Sequence, residues 1–326
     1  RLNMQIPVTT SGRIHPYHPN MRPRLYRAVG SRISRALTFL SMALTVSAQQ
    51  SAILTNSAVL TNNDEPMRVA YTCAEEDLQW AGMSCADDEP CPIYLELNSV
   101  VPDGRKIFAA GDLHSSAATI SSVLLMSDDA GATWREPAAR TRGTALDQLQ
   151  FYNLQSGWSA GETQYPLPRD PFFLITTDGG SSWRQQLVGE EDSSGAIQRF
   201  WFDSERHGEL IIDAGKASEG GRYHSYESET GGENWTLRGK SDQLPKLRRA
   251  PPAGEDADWR TSPSKDGKAV RIEERTGGQW KSVASFLIEV ANCRLQAGEL
   301  KEPKAPEEDL PPAPATPATP KQRQRK

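Results

Sequence analysis

The sequence is poor in the residue types that do chemistry. It has four Cys and five His in 326 residues, and beyond residue 48 only His114, His207 and His224 remain. None of these stands near a Cys, which excludes a regularly spaced Cys/His metal site. No His-Glu-x-x-His pair or phosphate-cradling glycine loop occurs. No apolar run reaches the ~18 residues that a membrane-spanning helix needs. Catalytic residues, a cofactor and a metal are therefore not expected.

Charge is scarce in one place and lopsided elsewhere. The first 48 residues contain seven Arg and no acid. Residues 49–298 hold 24 basic against 37 acidic residues, and so acidic a body repels phosphate backbones, which argues against nucleic acid. From Met21, five Arg precede an apolar run, Ala36 to Val46, that ends in Val46-Ser47-Ala48. A basic region, a short apolar region and small residues at −3 and −1 predict a signal peptide over 21–48 and export to the periplasm or beyond. Residues 1–20 read as an over-extended reading frame, with Met4 the other possible start. Residues 49–66 read as a linker. The stretch 299–326, rich in Pro and Ala with a basic end, reads as an extended tail.

Export gives the cysteines a different meaning. Cys73, Cys85, Cys91 and Cys293 allow three pairings. The preferred one closes Cys85–Cys91 around a short loop and ties Cys73 to Cys293 at the far end of the domain.

An octet closed by tryptophan recurs: "SDDAGATW" (127–134), "TTDGGSSW" (176–183), "SETGGENW" (228–235) and "EERTGGQW" (273–280). Trp134, Trp183, Trp235 and Trp280 each follow a glycine (Gly131, Gly180, Gly232, Gly277) by three positions. Asp129 and Asp178 stand five before Trp, where the third copy has Thr230. Ser127, Thr176 and Ser228 stand seven before. A period of 45–52 residues marks a repeated supersecondary unit. Each octet follows an apolar strand and must reverse the chain, with Gly free to take positive φ and the hydroxyl and carboxylate bonding backbone inside the loop. The Trp then starts the returning strand. Gly111, Gly161 and Gly215 form a second anchor upstream, so each unit reads as four strands.

The octet resembles the Asp-box, or BNR repeat, of β-propellers. With "GWSAG" upstream it is similar, more narrowly, to the photosystem II assembly/stability factor family. The resemblance implies an all-β propeller of four-stranded blades over 67–298, about five by length, closed by a terminal strand. Non-photosynthetic members of that family are exported bacterial proteins, and its photosystem-assembly members bind a partner through an Arg-rich patch.

Loops on a rigid scaffold concentrate recognition. The loops "DLHSSAATIS" and "ETQYPLPRDP" follow Gly111 and Gly161 and should emerge on one face, making Asp112, His114, Tyr165 and Arg169 candidate contacts. The run "KLRR" adds Arg248 and Arg249. The expected function is a monomeric, non-catalytic module that binds a protein partner, an envelope or membrane complex. A carbohydrate-active protein is the alternative: sialidases share the octet, but their Phe/Tyr-Arg-Ile-Pro segment is missing here. Acid runs such as Glu190-Glu191-Asp192 read as solvated charge. Opposed carboxylates over Arg or Trp would favour the glycan reading, and an aromatic–Arg patch the protein reading.

Overall fold

The computed structural model describes residues 58–86, 88–164, 167–189, 194–248 and 258–294, all within the larger of two compact units, 54–326. The expected signal peptide, the tail, Tyr165, Arg249 and the Glu190-Glu191-Asp192 run lie outside them. Among the described residues the chain is all-β apart from one short helix, α1 (Glu75–Trp80).

Four antiparallel sheets carry the structure. Sheet I holds β2 (Cys91–Asp103), β3 (Lys106–His114) and β4 (Thr119–Ser127), with β17 (Glu289–Cys293) added beside β2. Sheet II is the meander β6 (Thr144–Phe151), β7 (Gly157–Thr163), β8 (Arg169–Thr176) and β9 (Arg184–Leu187). Sheet III repeats it with β10 (Ala196–Phe202), β11 (Gly208–Asp213), β12 (Tyr223–Ser228) and β13 (Thr236–Ser241). Sheet IV has three strands, β14 (Trp259–Pro263), β15 (Ala269–Thr276) and β16 (Gln279–Leu287). Against an expectation of about five blades, four such sheets are found among the described residues.

The middle strands are continuous apolar runs because both of their faces are covered. In β3, Ile107 and Ala109 pack toward Val270, Ile272 and Phe286 of sheet IV. The alternate residues Phe108 and Ala110 pack toward Leu146 and Phe172 of sheet II. In β8, Phe172 and Leu174 join that second cluster, while Phe173 and Ile175 face Phe200, Phe202 and Leu210 of sheet III. The period-2 direction of side chains thus assigns alternate residues to opposite neighbours. Sheets stack face to face in the order IV, I, II, III, consistent with a propeller.

The chain ends meet at sheet I. β17 pairs with β2, setting Cys293 opposite Cys91, and Met67 makes a parallel bridge to Phe286 of β16. Disulfides join Cys73 to Cys293 and Cys85 to Cys91. Part of the stretch read as a linker is a strand: β1 (Leu60–Thr61) pairs with β5 (Thr133–Trp134), and the Asn62 amide donates to Gly131 O and Val283 O.

Two features of the repeat differ from the reading of the sequence. Gly215 is not the counterpart of Gly111 and Gly161. Those two pair with Leu97 and Leu146 on the first strands, whereas the residue so paired in sheet III is Ile212, and Gly215 lies past the end of β11. The fourth octet is a different turn. Gly277 and Gly278, both at positive φ, make a two-residue hairpin between β15 and β16, the connection that needs two left-handed residues. Trp280 is therefore not a core residue. It lies half-buried beneath Arg260, whose guanidinium is 4.1 Å from the ring centroid.

Candidate functional site

The first three octets connect third and returning strands at one end of sheets I, II and III. Ser127 Oγ accepts from Gly131 N at 2.8 Å, Thr176 Oγ1 from Gly180 N at 2.9 Å and Ser228 Oγ from Gly232 N at 3.0 Å. Asp129 accepts from Thr133 N, Thr133 Oγ1 and Ser127 Oγ at 2.8–2.9 Å. Asp178 accepts in the same way from Ser182 N, Ser182 Oγ and Thr176 Oγ1. Donors from Thr133 and Ser182 hold both carboxyls below the usual carboxylate range. Gly180 also lets sheets approach: a Cβ there would come within 2.3 Å of Phe108 on sheet I. Trp134 and Trp183 donate Nε1–H to Gly131 O and Gly180 O. These acids are spent on their own loops and offer nothing to a ligand.

A cavity of about 640 Å³ opens at the other end of the same strands. Its wall includes Glu96 and Asn98 of β2, Asp112 and His114 of β3, Asp147 of β6 and Gln164. Two local devices bring these groups together. The first strand of each of sheets I, II and III carries a bulge, whose extra residue is Asn98, Asp147 and Gln198 in turn. A bulge re-aims a side chain out of the regular alternation. The second device is an acid directly after the Leu-paired position of the second strand: Asp112 and Glu162, with Asp213 in sheet III. Gly111 keeps β2 close enough for this, since a Cβ on it would fall 1.9 Å from Glu96 O.

Asp112, Asp147 and Glu162 are linked to one another, two of them through Asn98. Asn98 Nδ2 donates to Asp147 Oδ1 at 3.1 Å and Asp112 Oδ2 at 3.4 Å. Burial, reinforced by Asp147, pushes Glu162 up to about 8, so that it donates its proton to Asp147. Gln164 Nε2 and the Ile197 amide donate to Glu162. Burial likewise pushes Asp112 up to about 6, opposed by His114. His114 Nδ1 lies 3.0 Å from Ser115 O, an acceptor, so that nitrogen is the donor, and Nε2 lies 3.8 Å from Glu96 Oε2. Among the described residues lining this cavity there is no Lys or Arg. An apolar groove of about 410 Å³, walled by Leu95, Leu97, Pro263, Val270 and Ile288, adjoins it across Glu96 and His114.

The candidate contacts read from sequence scatter. Asp112 and His114 both wall the cavity, yet Asp112 is a buried residue of β3 and not a surface loop group. Arg169 begins β8 beside Asp170, 3.5 Å away. Arg248 belongs to a separate small cavity with Glu209, whose carboxylate accepts from its amide. Tyr165 and Arg249 fall outside the described residues. Glu96, Asn98, Asp147, Glu162 and Gln164 escaped the sequence reading. The acid after a second-strand glycine, at 112 and 162, is the signal that points to two of them. Of the two discriminating arrangements, the cavity has clustered carboxylates with, among the described lining residues, neither Arg nor Trp.

No family model matches the chain, and no curated protein matches it. Among solved structures it is similar to YCF48 bound to a D1 peptide, at 20% identity over 61% of this chain and 59% of that one, with a TM-score of 0.32. It is also similar to YCF48 from Cyanidioschyzon merolae, at 14% identity over 60% and 50% of the two chains, with a TM-score of 0.28. The chain therefore spans between half and three fifths of those structures' own length. Likeness at this level bears on neither function nor partner.

Proposed function

We propose that this chain is a non-catalytic, Asp-box-type propeller that binds a protein partner, taking a cationic group of that partner in the cavity between sheets I and II. The observation that carries this reading is the cluster of Glu96, Asp112 and Asp147 in the lining, with Glu162 against Asp147 and, among the described residues, no Lys or Arg in the lining. Each added negative charge here is costly to bury, and an incoming ammonium or guanidinium offsets that cost. The adjoining groove of Leu95, Leu97, Val270 and Ile288 would take the apolar residues beside the cation. The ligand is thus a polypeptide segment with a basic residue or free amino group next to aliphatic side chains. Two disulfides suit an oxidising compartment, in keeping with an exported protein that acts on an envelope complex.

The carbohydrate reading has one observation in its favour: Glu162 and Asp147 stand side by side, both raised by burial. The arrangement fits it less well than the protein reading. The two carboxyls are adjacent, Glu162 donating to Asp147, whereas glycoside hydrolysis sets its pair roughly 5–9.5 Å apart across the sugar. Among the described residues the lining has no aromatic platform other than the His114 ring.

The test is fluorescence anisotropy of short labelled peptides against the protein and its Asp112→Asn variant. Lys- or Arg-bearing aliphatic peptides should bind, acidic ones should not, and Asp112→Asn should weaken binding about tenfold. Affinity should rise with pH through about 6 as Asp112 ionises. Peptide binding that ignores charge, or oligosaccharide binding in its place, would sink the proposal.

A further inference from the structure

Sheet III carries a second polar constellation, at its octet end and apart from the cavity between sheets I and II. The turn after β10 is folded on itself: Ser204 Oγ accepts from the amides of His207 and Arg206, and Asp203 N donates to His207 O. That turn sets Asp203 and His207 four residues apart with Asp203 Oδ1 2.6 Å from His207 Nδ1. On the other side of the ring, Nε2 lies 3.0 Å from Glu227 Oε1 at the end of β12. The second oxygen of Glu227 is fixed by Arg238 Nε at 2.6 Å. Glu229, two residues on, is exposed, and the octet that carries it is tied back to the turn by Arg206 Nε to Glu229 O and Gly231 N to Arg206 O. One ligand atom each from His207, Glu227 and Glu229 lies within 4.8 Å of the others.

Asp203 Oδ1 lies against Nδ1 of the ring, which leaves Nε2 facing the Glu227 carboxylate. Bonds of about 2.0–2.1 Å set tetrahedral ligands roughly 3.3 Å apart, close to the 3.0 Å between His207 Nε2 and Glu227 Oε1. Asp203 then plays the part of the outer carboxylate that anchors a ligating histidine, and Arg238 does the same for Glu227. His207 is buried, at 7% exposure, while Glu229 stands at the surface, which leaves a route of entry. We infer that His207, Glu227 and Glu229 form a divalent transition-metal site of the nitrogen–oxygen class suited to Zn²⁺, pinning the third octet to the β10–β11 turn. In the first two octets the Asp closes its own loop, and in the third Thr230 does so by accepting from the Asn234 amide; the ion would act between the octet and the turn.

The experiment is calorimetric titration of the chelator-treated full chain with zinc chloride, alongside Glu229→Gln and Asp203→Asn. The wild type should take up one Zn²⁺ per chain with a rise in thermal midpoint. Glu229→Gln should lose tenfold or more in affinity, and Asp203→Asn about tenfold. Long-range proton–nitrogen NMR should show the His207 Nε2 resonance shift on zinc addition, a readout that stands even where a variant folds poorly. Absence of saturable one-to-one uptake, an unmoved His207 resonance, or Glu229→Gln binding as tightly as wild type would overturn the assignment.

Discussion

Asp129 and Asp178, at one end of their strands, are held below the ordinary carboxylate range by donors from their own loops. Asp112, Asp147 and Glu162, at the other end, are held above it by burial. All are carboxyls, and the same two sheets carry them. What differs is whether a donor or another acid sits opposite each carboxyl. The octet acids add stability above about pH 4 and lose it as pH falls. The cavity acids favour the folded state at low pH and lose that advantage as pH rises from about 4–5 toward 8. One end of the molecule is built to hold itself, and the other is left with charge to offer.

That contrast can be broken or sharpened by substitution. The largest effect is expected at Gly111, where alanine would drive a Cβ into the Glu96 carbonyl and part β2 from β3. A loss of about 3 kcal/mol or more, read by denaturant unfolding, would mark the cavity wall as a tight backbone contact. Asp129→Ala should cost about 1–2 kcal/mol by stranding the Thr133 amide and hydroxyl; an unchanged midpoint would show that the loop closes without its acid. Glu162→Gln acts with the opposite sign. The folded wild type keeps a proton between pH 4.5 and about 8 that the unfolded chain releases, so the variant should gain on it as pH rises, by a few degrees of Tm at pH 9 and little at pH 5. The smallest change is Thr230→Asp, which restores the acid to the third octet. It should add about 0.5–1 kcal/mol in a chelator-treated sample, and a loss would mean that the third loop differs in shape from the first two.

Much of the octet end could be read from the sequence, because its parts lie within eight residues and repeat. A hydroxyl, an acid, a glycine and a tryptophan at fixed offsets carry their own hydrogen-bond plan. Even so, letters misled where shape changed. "TGGQW" shares its glycine and tryptophan with the others, yet the paired glycines make a hairpin and Trp280 pairs with Arg260 rather than a neighbouring sheet. The cavity was far less legible. Asn98 and Asp147 enter it through bulges, and a bulge leaves no strong mark in a single sequence. Asp112 and Asp147 come together, through Asn98, only once two sheets stack, and their separation along the chain hides that encounter. Asp112 and His114 are candidates in the sequence for their place after Gly111, and they do line the cavity. Arg169 and Arg248 were chosen as good interface residue types, which says nothing of where a strand will put them.

The partner of β2 along its free edge is β17, the last described strand, and the intervening chain includes every other sheet. On a chain made from its N-terminus, sheet I therefore waits. Its first edge stays open until all the other described strands have emerged, and the Cys73–Cys293 bond can only follow. Long-range closures of this kind are slow, and an unpaired strand edge is a template for the wrong neighbour. Yield of this protein should thus depend less on its final stability than on what guards β2 in the interval before β17 arrives.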